Sequence, residues 1–306
     1  MTDSWTVNAI PDLSGRVAVV TGGNAGLGLS TVHQLMAHGA HVVVTSRNVE
    51  RGQQAVDGLG SQPGSAEVLR LDLADLSSVR AFAHEVGERH TRLDLLINNA
   101  GIMMVPAGTT RDGFELQVGT NHLGHFALTG QLMPLIRATA GARVVTVSSL
   151  AHTSGRIDES NVDTVHQVSS SYSKTKAYGD SKLANLLFAY ELQRRFAVHD
   201  IDAMSVAAHP GVSSTGLGEH LIPQRLRPLA RPVFELITQR PDAGALPTLR
   251  AATDPNAWGG QFFGPASLGQ SRGAPVVVAS NDASYDAATA AGLWEASRRL
   301  TGVSYL

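Results

Sequence analysis

Two tyrosines in one short segment are each followed, four residues later, by a lysine: Tyr172 by Lys176 and Tyr178 by Lys182. Residues i and i+4 lie on the same face of a helix. An ammonium group beside a phenol favours the phenolate and lowers the phenol pKa from its usual value of about 10. Such a phenol can exchange a proton with a carbonyl or alcohol oxygen. The segment therefore predicts acid–base chemistry, but the spacing alone does not choose between the two pairs.

Tyr178 is the better candidate, because it begins the stretch 176–196, in which apolar residues recur at helical spacing. Tyr172 lies in the serine-rich stretch SSSYSKT, which predicts a loop. Ser148 and Ser149 end the fifth predicted strand and are further catalytic candidates.

The stretch TGGNAGLG, residues 21–28, follows the first predicted strand and opens a predicted helix. Glycine permits a sharp turn and lets a phosphate approach the backbone closely, and a helix N-terminus attracts anions. The spacing Gly-x-x-x-Gly-x-Gly differs from the common Gly-x-Gly-x-x-Gly dinucleotide motif. An ordinary strand-to-helix turn is the alternative. The candidate phosphate contacts are Gly22, Asn24, Gly26, Leu27 and Gly28.

The second predicted strand indicates which nucleotide would bind. An acidic residue at its end would bind the ribose 2′-hydroxyl of NAD, but Arg47 stands there instead. An arginine can pair with a 2′-phosphate, so the sequence favours NADP(H). The alternative is a solvated arginine at a strand end. Asp72 and Leu73, at the end of the third strand, are expected near the adenine.

Short apolar runs alternate with helical patterns along the whole chain. This order predicts an α/β fold with a doubly wound parallel sheet of about seven strands and helices on both faces. Ligands of such sheets bind beyond the carboxyl ends of the strands, where the motifs above collect. The predicted strands are 16–21, 41–46, 67–73, 93–101, 142–149, 201–211 and 261–264, and the predicted helices are 27–37, 49–59, 77–90, 112–138 and 176–196.

Composition excludes several classes of protein. The 306 residues carry a net charge of −2, which gives no reason to expect nucleic acid or an anionic membrane as a partner. The absence of cysteine excludes disulfides and thiol chemistry. The N-terminal residues do not resemble a signal peptide, and no apolar run reaches the roughly 18 residues of a membrane span, so we expect a cytoplasmic protein.

Two other functional patterns are rejected. Residues 269–273 match the Gly-x-Ser-x-Gly pattern of a hydrolase, but the last histidine, His220, precedes them. His122 and His125 share a helix face, but no acidic ligand pattern joins them, so no metal site is expected.

The motifs together resemble the short-chain dehydrogenase/reductase family. TGGNAGLG, NNAG, TNHLGHF, VSS, AYGDSK and HPG occur in one order and span most of the chain. The stretches SSLAH, AYGDSKLAN, AATDP and LWEASRRLTGV resemble the retinol-dehydrogenase-like branch of that family. The resemblance implies a Rossmann fold and an oxidoreductase. No linker or repeat divides the chain, so we expect one catalytic domain, 1–306, with 265–306 as a C-terminal extension. Residues 212–241 contain several prolines and little strand pattern, which predicts an insertion or lid.

The resemblance further implies a catalytic tetrad of Asn121, Ser149, Tyr178 and Lys182. Tyr178 would be the acid/base, and Ser149 would hydrogen-bond the substrate oxygen. Lys182 would bind the nicotinamide ribose and act on Tyr178, and Asn121 would hold a water. The cofactor contacts implied in addition are Asn98, Ala100, Gly101, Pro210, Gly211 and Thr215.

We therefore expect hydride transfer between NADP(H) and the carbonyl or alcohol group of a small, apolar substrate. Retinol itself is not implied, since membrane-bound members of that branch carry an N-terminal anchor, which we do not expect in this chain. A Rossmann protein that binds NADP(H) as a sensor without catalysis is the alternative. Relatives often pair through the helices that carry Asn121 and Tyr178, so a homo-oligomer is compatible with the sequence.

Overall fold

The computed structural model describes residues 5–212 and 240–306. Its centre is an eight-stranded sheet in the order β3-β2-β1-β4-β5-β6-β7-β8. The strands are β1 (Val17–Val20), β2 (His41–Ser46), β3 (Ser65–Arg70), β4 (Leu95–Asn98), β5 (Ala142–Val147), β6 (Ala203–Ala208), β7 (Phe262–Ser267) and β8 (Arg272–Val277). Neighbours from β3 to β7 pair in parallel, whereas β8 pairs antiparallel to β7. The predicted doubly wound fold is confirmed, with one antiparallel strand that the sequence analysis missed.

The central strands are apolar along their whole length because both faces of the sheet are covered. In β1, Val19 packs into a cluster on one face, while Ala18 and Val20 pack into a cluster on the other. All three side chains are completely buried. Burial on both faces is typical of parallel sheets flanked by helices, and it explains the continuous valine runs.

Helices cover both faces of the sheet. They are α1 (Gly26–Ala37), α2 (Val49–Asp57), α3 (Leu76–Arg89), α4 (Leu116–Val118), α5 (Gly124–Arg137), α6 (Lys174–Val198), α7 (Pro241–Thr253) and α8 (Ala287–Thr301). Side chains from α3, α5, α6 and α8 share one core cluster with Val19, and side chains from α1 and α7 share the other with Val20. The predicted helix boundaries agree within a few residues for α1, α2, α3 and α6.

The single helix predicted over 112–138 is interrupted. A π-helical turn, Gly119–Leu123, separates α4 from α5. Such a turn inserts an extra residue into the helix and is frequent at functional sites. Asn121 lies in the middle of this turn. The prediction of one regular helix is therefore wrong at the residue to which the resemblance assigns a catalytic role.

The C-terminal residues belong to the main core. Residue 265 lies inside β7, and the ring of Trp294, on α8, packs against Phe126 and Tyr305 with centroid separations of 5.1 and 4.8 Å. The predicted lid, 212–241, lies almost wholly outside the described residues. Across the described ranges, none of the helices combines the length and apolarity that a membrane span requires.

Candidate active site

Ser149, Tyr178, Lys182 and Asn121 come from three separate elements and meet at the carboxyl end of β5. Ser149 lies two residues after the end of β5. Tyr178 and Lys182 lie one turn apart on α6, and Asn121 lies in the π-helical turn. Ser149 lies beside Tyr178, where hydrogen bonding to its side chain would lower the pKa of the phenol. Lys182 Nζ lies 5.8 Å from the centroid of the Tyr178 ring. The structure thus places a phenol, a hydroxyl and an amine close together.

The ionisation of this group is governed by burial. Desolvation raises the pKa of Tyr178, and the hydrogen bond with Ser149 only partly opposes that effect. Desolvation also lowers the pKa of Lys182 to about 8. The expectation of a lowered pKa for Tyr178 is therefore wrong here, because the effect of burial outweighs that of the neighbouring groups. At neutral pH the phenol is protonated and can act as a proton donor.

Lys182 is held in place from the strand side. Its Nζ donates a hydrogen bond to the carbonyl oxygen of Val147 at 3.1 Å, and Asn185 Nδ2 donates to the same oxygen at 3.0 Å. The hydroxyl of Ser148 donates to the backbone carbonyl of Lys182 at 2.7 Å. This bond occupies the hydroxyl of Ser148 and ties β5 to α6. The structure therefore distinguishes the two serines, and it leaves Ser149 as the one beside Tyr178.

Asn121 connects the π-helical turn to the residues after β4. Its Nδ2 donates to Ile102 O and to Ser181 Oγ, both at 2.9 Å, and its Oδ1 accepts from Ile102 N at 2.8 Å. A Cβ atom added at Gly101 would lie 3.3 Å from Asn121 Oδ1 and 3.4 Å from Lys182 Nζ. Gly101 therefore permits close approach of the NNAG turn to the tetrad.

His125 is a residue that sequence reasoning missed. Its Nδ1 lies 2.9 Å from the backbone carbonyl oxygen of Asn121, and its Nε2 lies 2.9 Å from Thr21 Oγ1. A carbonyl oxygen only accepts, so Nδ1 carries the proton and Nε2 accepts from the threonine hydroxyl. Burial lowers the pKa of His125 to about 4, which keeps the ring neutral. The signal in the sequence is the four-residue spacing from Asn121.

Thr21 extends this connection to the two turns that follow β1 and β4. Its Oγ1 also accepts hydrogen bonds from the backbone N–H groups of Asn99 and Ala100, at 2.8 and 2.9 Å. The glycine-rich turn, the NNAG turn and Asn121 are thus joined through one buried hydroxyl and one buried imidazole.

The glycine-rich turn has the backbone conformation of an anion-binding site. Gly22 and Gly26 have positive φ angles of 63° and 52°, and a Cβ atom at Gly28 would lie 2.3 Å from the carbonyl oxygen of Gly22. The N-cap of α1 is Ala25, whose side chain caps no N–H group. Among the residues that the structure describes, no side chain caps the first-turn N–H groups, and these groups could bind the pyrophosphate of a dinucleotide. Asn24 and Leu27 lie within the same turn.

Three further predicted cofactor contacts follow the strands β2 and β3. Arg47 is exposed after β2, and within the described ranges its side chain forms no ion pair or hydrogen bond. Asp72 accepts a hydrogen bond from the N–H group of Ala74 at 3.0 Å, and Leu73 is buried beneath Gly124. These positions agree with a nucleotide beyond β1 to β3, but the contacts stay predictions.

Asn98 is placed differently from the tetrad. Its side chain is fully buried, and Nδ2 donates to Thr129 Oγ1 of α5 at 3.1 Å. The side chain is therefore inside the core, and only its backbone is available at the strand end. Pro210 and Gly211 follow β6, where Gly211 has a φ of 67°. Thr215 lies outside the described residues.

The alternative tyrosine–lysine pair is separated. Tyr172 is in a loop, as predicted; its hydroxyl donates to Glu115 Oε1 at 3.0 Å and accepts from Gln117 Nε2 at 2.9 Å. Burial, followed by smaller effects that include the Glu115 charge, raises the pKa of Tyr172 to about 12. Lys176 instead pairs with Asp180 at 2.5 Å. Tyr172 and Lys176 therefore do not form a reacting pair.

The patterns rejected at the outset also have structural explanations. His122 Nε2 lies 2.9 Å from Ser297 Oγ, while His125 contacts Thr21, so the two histidines serve different contacts. Ser271 lies in the turn between β7 and β8, which is a strand-to-strand connection. A nucleophile elbow requires a helix after the serine, so this match has no hydrolase geometry.

Known proteins resemble this chain over most of its length. The family model described as short chain dehydrogenase matches residues 16–225. A Bos taurus protein named dehydrogenase/reductase SDR family member 13 is 40% identical over 298 residues, covering 96% of this chain and 75% of that protein. Retinol dehydrogenase 14 of Mus musculus is 38% identical over 270 residues, covering 82% of this chain and 78% of that protein. A solved structure of an uncharacterized Mycobacterium Paratuberculosis protein is 40% identical, with a TM-score of 0.82 over 99% of both chains.

Proposed function

The chain belongs to the short-chain dehydrogenase/reductase family, and on that premise we propose that it is an NADP(H)-dependent carbonyl reductase or alcohol dehydrogenase in which Tyr178 is the acid/base. The observation that carries this proposal is the group formed by the partly exposed Ser149 and Tyr178 and the buried Lys182 at the carboxyl end of β5. Perturbed ionisation of several adjacent groups in one site is typical of catalysis.

Each residue of the group has a role in carbonyl reduction. The protonated phenol of Tyr178 donates its proton to the substrate oxygen, while the Ser149 hydroxyl forms a hydrogen bond to the same oxygen. The ammonium of Lys182 stabilises the phenolate that remains on Tyr178. When bound, the nicotinamide supplies the hydride for reduction or accepts it in oxidation. In the oxidative direction Tyr178 receives the proton from the alcohol.

The cofactor would lie across the carboxyl ends of β1, β2 and β4. The glycine-rich turn and the uncapped start of α1 would hold the pyrophosphate, and Gly101 would admit the ribose beside Lys182. Arg47 is the group available to a 2′-phosphate, because it is exposed at the end of β2 and unpaired within the described ranges.

Tyr178→Phe tests the catalytic role. We expect this variant to bind NADPH like wild type but to lose turnover on aldehydes and ketones by roughly 10²- to 10⁴-fold. Tyr172→Phe is the matched control and should retain turnover. The name of the relative retinol dehydrogenase 14 argues for including long apolar alcohols and aldehydes in the panel. NADPH binding without turnover by wild type would favour a sensor instead.

Arg47→Leu tests the cofactor preference in a fluorescence titration with NADPH and NADH. Loss of a charged hydrogen bond should weaken NADPH binding by roughly 10- to 100-fold and leave NADH binding unchanged. Arg80→Leu, an exposed change on α3, is the control. Tighter binding of NADH than of NADPH by wild type would contradict the role given to Arg47.

A further inference from the structure

A second cluster of chemically competent side chains lies at the opposite end of the sheet. His41 is the first residue of β2, Glu67 lies on the neighbouring β3, and His90 directly follows α3. The register pairs His41 with Ser65, so Glu67 is two residues further along β3 and faces the same side of the sheet. Three elements therefore bring two imidazoles and one carboxylate together.

The ligand atoms converge. His41 Nε2 and His90 Nε2 lie 3.4 and 2.7 Å from the same oxygen, Glu67 Oε1. One ligand atom from each of the three residues lies within 4.8 Å of the others. Bonds of about 2.0–2.1 Å in a tetrahedral zinc site place ligand atoms roughly 3.4 Å apart. Small side-chain rotations would bring all three atoms to that separation.

The contacts behind the ligands resemble those of metal sites. His41 Nδ1 lies 2.8 Å from Ser65 Oγ, which directs Nε2 toward the carboxylate. Arg89 donates to the second carboxylate oxygen, Glu67 Oε2, at 2.9 Å and leaves Oε1 for the ion. Outer contacts of this kind fix the orientation of metal-binding histidines and carboxylates.

We propose that His41, Glu67 and His90 form a binding site for a divalent transition-metal ion such as Zn²⁺. The side chains are 32%, 22% and 13% exposed, so an ion can enter and a water can complete four-coordination. The site lies at the amino end of β2, away from Tyr178, and the ion would tie β2, β3 and α3 together. No short sequence motif predicts this site, because the three ligands come from distant parts of the sequence.

The test uses the full chain, treated with EDTA and dialysed. Zn²⁺ is titrated by calorimetry, and Co²⁺ is titrated by visible absorption, which reports four-coordinate geometry. We expect one equivalent in wild type, and binding at least 10-fold weaker in Glu67→Gln and in the double variant His41→Gln/His90→Gln. His84→Gln is the control, because His84 is an exposed histidine on α3 that lies outside the cluster.

The competing explanation is a hydrogen-bonded ion-pair network that holds no metal. Equal Zn²⁺ affinity in wild type and Glu67→Gln, or no stoichiometric binding by wild type, overturns the proposal. Thermal unfolding gives a second readout: Zn²⁺ should raise the Tm of wild type and His84→Gln but not that of Glu67→Gln. Equal Zn²⁺-induced shifts in all three proteins also overturn it.

Discussion

The two tyrosine–lysine pairs have the same spacing and lie six residues apart, yet their surroundings differ in every respect that matters for chemistry. The Lys176 side chain is 56% exposed and pairs with Asp180, whereas Lys182 is buried and has no carboxylate partner within the described ranges. Tyr172 is fixed by Glu115 and Gln117. Spacing on a helix thus identifies candidates, and burial of the lysine without a carboxylate partner distinguishes the pair that we propose to react.

The difference also shows why the second pair depends on distant elements. Lys182 is held by the end of β5 through Val147, and Gly101 of the NNAG turn approaches its amine. Burial desolvates the ammonium and lowers the pKa of Lys182 to about 8. Burial destabilises the charged form of Lys182, so its ammonium would interact strongly with a nearby phenolate. The ammonium of Lys176 is already stabilised by the carboxylate of Asp180.

Replacing each lysine in turn should give the largest contrast. In Lys182→Met, loss of the charge beside Tyr178 should lower kcat for carbonyl reduction by roughly 10²- to 10³-fold. Lys176→Met should change kcat by less than about 2-fold, since the Lys176 ammonium pairs with Asp180 rather than with Tyr178. Steady-state kinetics with saturating NADPH measures both. Equal losses in the two variants would contradict the distinction between the pairs.

The pH dependence should reveal the same difference. The Lys182 ammonium is present below its pKa of about 8 and is lost above it, while burial keeps the pKa of Tyr178 raised. We therefore expect kcat/KM for carbonyl reduction to fall above pH 8 and to approach a roughly 10-fold loss per pH unit.

The control for this profile is Lys176→Met, which should keep the break at the same pH as wild type. A wild-type profile that stays level to pH 10 would show that the charge of Lys182 does not govern the reaction. Thermal unfolding at each pH verifies that the protein remains folded over the range.

Sequence patterns predicted the parts of the molecule that depend on local properties. The strand β1 and the glycine-rich turn before α1 could be predicted because each depends on the types of only a few consecutive residues. The strand β8 was missed because it contains Pro275, which an edge strand tolerates but which counts against a strand in a sequence pattern. The parallel order of the sheet followed from the alternation of elements.

The candidate site was predicted less completely, because its chemistry depends on contacts between distant residues. The raised pKa of Tyr178 results from burial, which no spacing between Tyr178 and Lys182 encodes. The π-helical turn around Asn121 likewise brings that residue to Ile102 and Ser181, which lie far away in sequence. The sequence analysis considered His125 only as a metal ligand and rejected that role. In the structure, its ring contacts the backbone carbonyl of Asn121, a tetrad residue.

Substitution of His125 should have the smallest effect of these changes. Asn in its place can still donate to the carbonyl of Asn121 four residues earlier, whereas Phe cannot donate to that carbonyl or accept from Thr21. We expect His125→Phe to lower kcat by about 10-fold, because misplacing Asn121 disturbs a group that must be oriented accurately. His125→Asn should recover part of that loss, and KM for the carbonyl substrate should change little in either variant. Equal kcat losses in both variants, with a matching fall in Tm, would indicate that His125 only stabilises the fold.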